Sequence, residues 1–153
     1  MRVQDVVGAK GDAVITVVET IRLIQAARVM HARSIGALVV VTPEGELRGV
    51  LSEREVIRAL ARCGAAAVDL RVADLMLRNP PAVAPTDGVR EAMRIMTEQR
   101  VRHLPVIRDG SVVGLISLGD TVKARLSEKI AENLVLQDIA RWPAAAVSRR
   151  TEQ

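Results

Sequence analysis

The heptapeptide GLISLGD, Gly114 to Asp120, has a counterpart in GVLSERE, Gly49 to Glu55. Both read glycine, two apolar residues, serine, two variable residues and an acid. Working outward, Thr20–Val41 overlays Thr86–Ile107 at an offset of 86 − 20 = 66, so that Ala26 meets Ala92, Met30 meets Met96, Leu38 meets Leu104 and Val40 meets Val106. Past a first hairpin loop that is one residue longer, Ser52 meets Ser117 and Glu55 meets Asp120. Self-similarity at a fixed period marks one supersecondary unit written twice.

Each copy carries the same coarse grammar. A short apolar strand, Ala13 to Val17 or Ala82 and Val83, precedes Thr20 or Thr86, whose hydroxyl suits a helix N-cap. Leu23, Ala26, Ala27 and Met30, and likewise Val89, Ala92, Met93 and Met96, recur at the spacing of one buried helix face. Two β-rich runs follow in each copy, Ala37 to Val41 with Leu47 to Leu51, and His103 to Ile107 with Val112 to Ile116. Turns at Pro43-Glu44-Gly45 and Asp109-Gly110 join them and predict antiparallel hairpins. A closing helix starts at Glu53 and ends near Arg62, with Gly64 as its C-cap. Its counterpart starts at Asp120 and runs to about Arg141, because Val122, Leu126, Ile130 and Leu134 repeat every four residues. Pro143 stops it. The expected organisation is a first repeat over 1–64, a second over 65–126, a helical extension over 127–142 and a flexible tail over 143–153.

The composition supports one folded α/β module. Of 153 residues, 49% are hydrophobic and 26% charged, a balance that offsets chain entropy. With no Phe, no Tyr and one Trp, the core and any base-binding pocket must be aliphatic. No apolar run nears the roughly 20 residues of a membrane helix. No secretory signal is visible after Met1, so a cytoplasmic location is expected. Cys63 has no disulfide partner in the chain and reads as a small apolar filler at a helix end, and no Cys/His cluster predicts a metal.

The doubled motif, with VRHLPVI at Val101 to Ile107 and VADLM at Val72 to Met76, resembles the tandem cystathionine-β-synthase (CBS) domain pair, or Bateman module, of the stand-alone bacterial type. The resemblance covers about Val3 to Leu126. It implies two pseudo-twofold β-α-β-β-α repeats packed sheet to sheet. It also implies an adenosine ligand (AMP, ADP or ATP, or else NAD(H)) and dimerisation through helices; with no effector domain fused to the module, the output is expected from another polypeptide or from the tail. Ile57, Leu60, Val122 and Leu126 are the residues expected at that homodimer interface.

Chemistry gives the motif a matching reading. Ser117 stands where a strand meets a helix, so its hydroxyl and the free N–H groups of the first turn face a common point suited to phosphate. Asp120, one turn on, is an acceptor for a ribose diol; Ser52 and Glu55 repeat the arrangement. A serine followed three residues later by an acid is also an ordinary capping pattern, and both readings put the pair at a helix start. The resemblance places phosphate-contacting basic residues at Arg102 and His103, where arginine offers a bidentate fork and histidine a pH-dependent donor. Arg100 either assists or faces solvent. The first copy has Gly36 and Ala37 at the corresponding positions, with Arg54 as a cation acting either locally or across the cleft, so the two sites are expected to be unequal. The Ser117/Asp120 site is the favoured one, and small Gly36 and Ala37 leave room for a bulkier ligand. Thr16, Val17, Ile35, Val83, Ala84 and Val101 are expected beside the base, each of them also a candidate for plain core packing.

No nucleophile–base pair, matched carboxylates or Walker-type loop can be assembled, so catalysis is not expected. The net charge of +4 keeps a nucleic-acid-binding alternative open, although aromatic platforms and a dense basic stripe are missing. A ligand-free structural adaptor is the other alternative.

Overall fold

A computed structural model describes residues 1–11 and 13–141. Helix α1 (Val3–Lys10) is followed by strand β1 (Thr16–Val18), helix α2 (Leu23–Arg33), strands β2 (Ala37–Val41) and β3 (Leu47–Ser52), and helix α3 (Glu53–Cys63). A 3-10 turn over Gly64–Asp69 leads to α4 (Val72–Leu75) and β4 (Leu77–Arg78). The chain continues through α5 (Val89–Gln99), β5 (His103–Arg108), β6 (Ser111–Ser117) and α6 (Leu118–Arg141). Residues Met1–Thr121 form one compact unit, and α6 carries the chain into a second that begins at Val122.

The two hairpins form as their turn residues dictate. Asp109 (φ 50°) and Gly110 (φ 78°) both hold positive φ, the requirement of the two-residue turn joining β5 to β6. In the first copy Gly45 (φ 91°) closes a turn in which its N–H reaches the Thr42 carbonyl. β2 is buried along its whole length and sits between β1, parallel, and β3, antiparallel; β4 adds antiparallel at the far edge. Leu23, Ala26 and Met30 of α2 pack with Leu38, Val40 and Leu51 into one cluster, whereas Ala27 is only half-buried. Full burial of side chains such as Leu38, Leu51, Leu104 and Ile116 stabilises the fold by roughly 1.5–3 kcal/mol each.

Several sequence expectations are corrected. β1 covers only Thr16–Val18, and in the second copy the matching strand shrinks to a single parallel bridge from Val83 to Val106. Neither threonine caps a helix. The N-caps are Arg22, whose N–H donates to Gln25 Oε1 at 2.9 Å, and Gly88. The reason is that Arg22 and Gly88 are held extended by bridges to Arg71 and Arg2, which delays both helices by two residues. Cys63, the last residue of α3, is exposed and fills no apolar gap. The expected break at Pro143 and the tail over 143–153 lie outside the described residues.

Those bridges belong to an exchange of opening segments. The start of the chain docks on the second repeat: Val3 N–H donates to Asp87 O, Gln4 N–H to Pro85 O, and Val89 N–H to Met1 O. The start of the second copy docks in the same way on the first: Val72 N–H donates to Ile21 O, Ala73 N–H to Glu19 O, and Leu23 N–H to Leu70 O. Val3 and Val72 are fully buried in equivalent places. Each docked segment crosses the third strand of its host at a glycine, Val7 over Gly114 and Met76 over Gly49.

The approach at Gly49 is the closer, since an added Cβ would lie 2.6 Å from the Leu77 carbonyl oxygen and 2.8 Å from Met76 Sδ. Gly49→Ala is expected to destabilise the chain by about 1–3 kcal/mol, because a backbone atom blocks the new methyl. Gly8→Ala, in α1 with nothing within 4 Å of the new Cβ, is expected to stabilise it by about 0.5–1 kcal/mol. Urea midpoints of the two variants measure both signs.

Candidate functional site

The serine–acid pairs form local capping structures at the starts of α3 and α6. Ser117 N–H donates to Asp120 Oδ2 at 2.9 Å, and Asp120 N–H donates to Ser117 Oγ at 3.0 Å. In the first copy Ser52 N–H donates to Glu55 Oε2 at 2.8 Å, and the Ser52 hydroxyl donates to the same oxygen. In both pairs the serine and the acid three residues on satisfy each other across the first helical turn.

A cleft of about 560 Å³ opens beside Asp120. Ser117, Asp120, Leu115 and His103 of the second repeat line it together with Ile35, Gly36 and Ala37 at the opening of β2. Val14 and Ile15 add apolar wall, and Lys10 and Arg33 add cations. A smaller hollow of about 100 Å³ adjoins Ser52 and Glu55, lined by Arg54 and by Arg100, Val101, Arg102 and His103 at the opening of β5. Each acid thus faces the strand opening of the other repeat, and Gly36 and His103 belong to both walls. The openings are shaped alike because Ser34 (φ 52°) and Arg100 (φ 54°) end α2 and α5 in the left-handed conformation. The next N–H then reaches back to Met30 O or Met96 O at 3.0 Å.

The residues named from sequence distribute accordingly. Ser117, Asp120, His103, Ile35, Gly36 and Ala37 share the large cleft; Ser52, Glu55, Arg54, Arg102 and Val101 share the small one with His103 and Gly36. Arg102 is therefore grouped with Glu55, not with Asp120. Thr16, Val17, Val83 and Ala84 line neither hollow. Val83 is buried with its N–H and C=O bonded to β5, and the Ala84 N–H donates to Asp87 Oδ2 at 2.7 Å. The apolar wall comes instead from Val14 and Ile15, just before β1.

Lys10 and Arg33 were missed. Lys10 Nζ lies 3.1 Å from Asp120 Oδ2 and 3.3 Å from the Leu115 carbonyl oxygen. A signal for α1 existed, since VQDVV at Val3–Val7 repeats the pattern of VADLM at Val72–Met76. It lies at an offset of 69 (72 − 3), not 66.

Charge in the cleft follows from these contacts. Burial alone would push the Asp120 carboxyl up, but the Ser117 N–H and the hydrogen bond and charge of Lys10 outweigh it and hold the acid below its ordinary value. Burial, aided by Lys10, pushes the His103 imidazole down, against the opposing charges of Asp120, Glu53 and Glu55. Asp120 is therefore ionised and His103 neutral at neutral pH. Among the described residues no His, Cys, Asp and Glu are grouped so as to hold a metal ion. Nor is any helix among them long and apolar enough to cross a membrane.

The family model for the CBS domain matches twice, over residues 5–62 and 72–127. The chain is 36% identical over 107 residues to the mitochondrial CBS domain-containing protein CBSX3 of Arabidopsis thaliana, covering 67% of this chain and 52% of that protein. It thus spans about half the length of that curated relative. Among solved structures it is similar to the CBS-domain containing protein ATU1752 from Agrobacterium tumefaciens, with 38% identity, a TM-score of 0.79 and coverage of 82% of this chain and 99% of that one. Two more distant structures share the fold. CBSX2 in complex with AMP has 24% identity and a TM-score of 0.70, covering 84% of this chain and 98% of that one. The CBS domain pair of MJ0100 in complex with 5′-methylthioadenosine and S-adenosyl-L-methionine has 22% identity and a TM-score of 0.73, with the same coverage.

The lowered His103 value sets a pH dependence. As pH falls through the ordinary value of 6.5, the unfolded chain takes up a proton before the folded one does. Stability is thus complete above that pH and declines below it, by at most about 1.4 kcal/mol per pH unit for one group. Urea midpoints at about pH 7.5 and pH 5.5 are expected to fall for the wild type and to fall less for His103→Gln.

Proposed function

The chain belongs to the CBS-domain family, and from that premise we propose that it is a non-catalytic regulatory module whose Asp120 cleft binds the nucleoside of an adenosine ligand. The observation that carries this reading is a carboxylate at a helix start, half-buried in a cleft of about 560 Å³ and opposite an aliphatic wall. That volume lies inside the range of roughly 300–1,000 Å³ typical of small-molecule pockets, whereas the hollow at Glu55 is too small for a nucleoside as it stands. Asp120 Oδ2 accepts from Ser117 and Lys10, while no donor among the described residues reaches Oδ1. A ribose diol fits that free oxygen. Ile35, Ala37, Val14 and Ile15 offer the base an apolar slot whose backbone amides supply polar contacts without aromatic stacking.

AMP, ADP and ATP are the ligands proposed, with NAD(H) as the largest of the set, so the module would read energy or redox state. The adenosine moiety is common to the compounds bound by CBSX2 and by MJ0100, which supports the choice of class. Arg54, Arg100 and Arg102 lie across His103 from the cleft, where a longer phosphate chain would find positive charge. Binding would bias the module between two packings by the ligand's difference in affinity for them.

A second copy of the chain is the proposed means of output. On α3, Ile57 and Leu60 are exposed, and so on α6 are Val122 and Leu126. Each pair presents branched apolar groups to solvent, as a homodimer surface would.

Two outcomes test the reading. A nucleotide at about 100 times its Kd is expected to stabilise the chain by about 2.7 kcal/mol, or about 5–10 °C in Tm. AMP, ADP, ATP and NAD(H) are compared by thermal shift with guanosine counterparts, and Asp120→Ala should abolish most of the response. A panel that leaves Tm unmoved, or a shift that survives Asp120→Ala, overturns the ligand site. Ile57→Lys combined with Leu126→Lys should weaken self-association by about tenfold or more in sedimentation equilibrium.

A further inference from the structure

We propose that Lys10 is the specificity-determining residue of the Asp120 cleft, selecting adenosine ligands whose 5′ end is anionic over neutral or cationic ones. The inference rests on the adenosine reading of the cleft and specifies the chemistry at the end remote from the base.

β6 has a strand neighbour, β5, on one side only, whereas its counterpart β3 is covered on the outer edge by β4 through Gly49–Arg78 and Val50–Leu77 pairing. Where the first repeat has that short strand, the second has α1, which runs eight residues to Lys10 while its counterpart α4 stops after four. The edge carbonyl of Leu115 is met by the Lys10 ammonium at 3.3 Å. The same ammonium reaches Asp120 Oδ2 at 3.1 Å. Position 79, equivalent to Lys10 at the offset of 69, is Asn79, so no cation stands there beside Glu55. Lys10 is thus a feature of one cleft and not of the repeated framework.

An ammonium has three N–H donors, and Leu115 and Asp120 take two. The third is available to the cleft, which Lys10 itself lines. The charged side chains of that lining are Lys10 and Arg33 against Asp120, a balance of two positive to one negative, with His103 neutral. A ribose accepted by Asp120 Oδ1 brings its 5′ substituent within reach of the lysine that touches Oδ2. A phosphate oxygen can then receive the third N–H as a charge-assisted bond. A thioether offers no comparable acceptor there, and a sulfonium meets a like charge.

Isothermal titration of the full chain with AMP and with adenosine, for wild type, Lys10→Met and Lys10→Arg, tests this. AMP is expected to bind the wild type about tenfold tighter than adenosine, the strength typical of a hydrogen bond to a charged group. Lys10→Met should collapse the preference for AMP over adenosine by about that factor, and Lys10→Arg should keep much of it. Asp120→Asn, weakening both ligands together, assigns the binding to this cleft. Parallel losses of AMP and adenosine in Lys10→Met, or no change in either, overturn the specificity role alone. A wild type that binds neither compound overturns the adenosine reading and this inference with it.

Discussion

The exchange of opening segments is the constraint on which the rest of this structure depends. A single β-α-β-β-α copy leaves the outer edge of its third strand and the start of its first helix uncovered. The segment that opens the other copy meets the helix start in each case, Val3 and Gln4 bonding to Asp87 and Pro85 and Val72 and Ala73 to Ile21 and Glu19, while β4 pairs with the outer edge of β3 and α1 lies against β6. Because backbone groups left unpaired in a dry place cost free energy, neither copy is complete without its partner. The two glycines at the crossings, Gly49 and Gly114, let a neighbouring side chain lie directly on the strand backbone. Pseudo-symmetry here is a consequence of mutual completion.

The same exchange builds the two clefts. With the repeats held by each other's beginnings, the helix start of one copy comes to face the strand opening of the other. Asp120 therefore looks toward Ile35, Gly36 and Ala37, and Glu55 toward Val101, Arg102 and His103. Divergence of the strand openings then makes unlike clefts. Glycine and alanine leave a roomy hollow whose cations, Lys10 and Arg33, come from helix ends; arginine and histidine fill the other. His103 stands in both walls, and its charge state responds to Lys10 and Asp120 on one side and to Glu53 and Glu55 on the other. A phosphate arriving in either cleft would be felt by the same imidazole.

Much of the local structure was legible because its causes are local. The Asp109-Gly110 turn, the antiparallel hairpins, the α2 and α5 stripes and the Ser-x-x-acid caps all follow from side chains within a few residues of one another. Where local logic failed, a distant partner had intervened. Thr20 and Thr86 offered good N-cap hydroxyls, but bridges from Arg71 and Arg2 hold the chain extended past them. Arg102 shares a repeat with Asp120. In the fold it lies with Glu55, because adjacency within a repeat does not determine which helix start a strand opening will face.

The sequence by itself determined that one unit occurs twice, what each copy contains, and that a serine and an acid stand at the start of each closing helix. Periodicity and turn chemistry act along the chain, so they can be read along it. Only the tertiary structure decided which copy each opening segment completes, which strand opening each acid confronts, and that Lys10 meets Asp120 across 110 residues of chain. Those pairings are set by packing two units against each other, and a repeat written in series is compatible with either arrangement until the buried valines and the exposed strand edge select one.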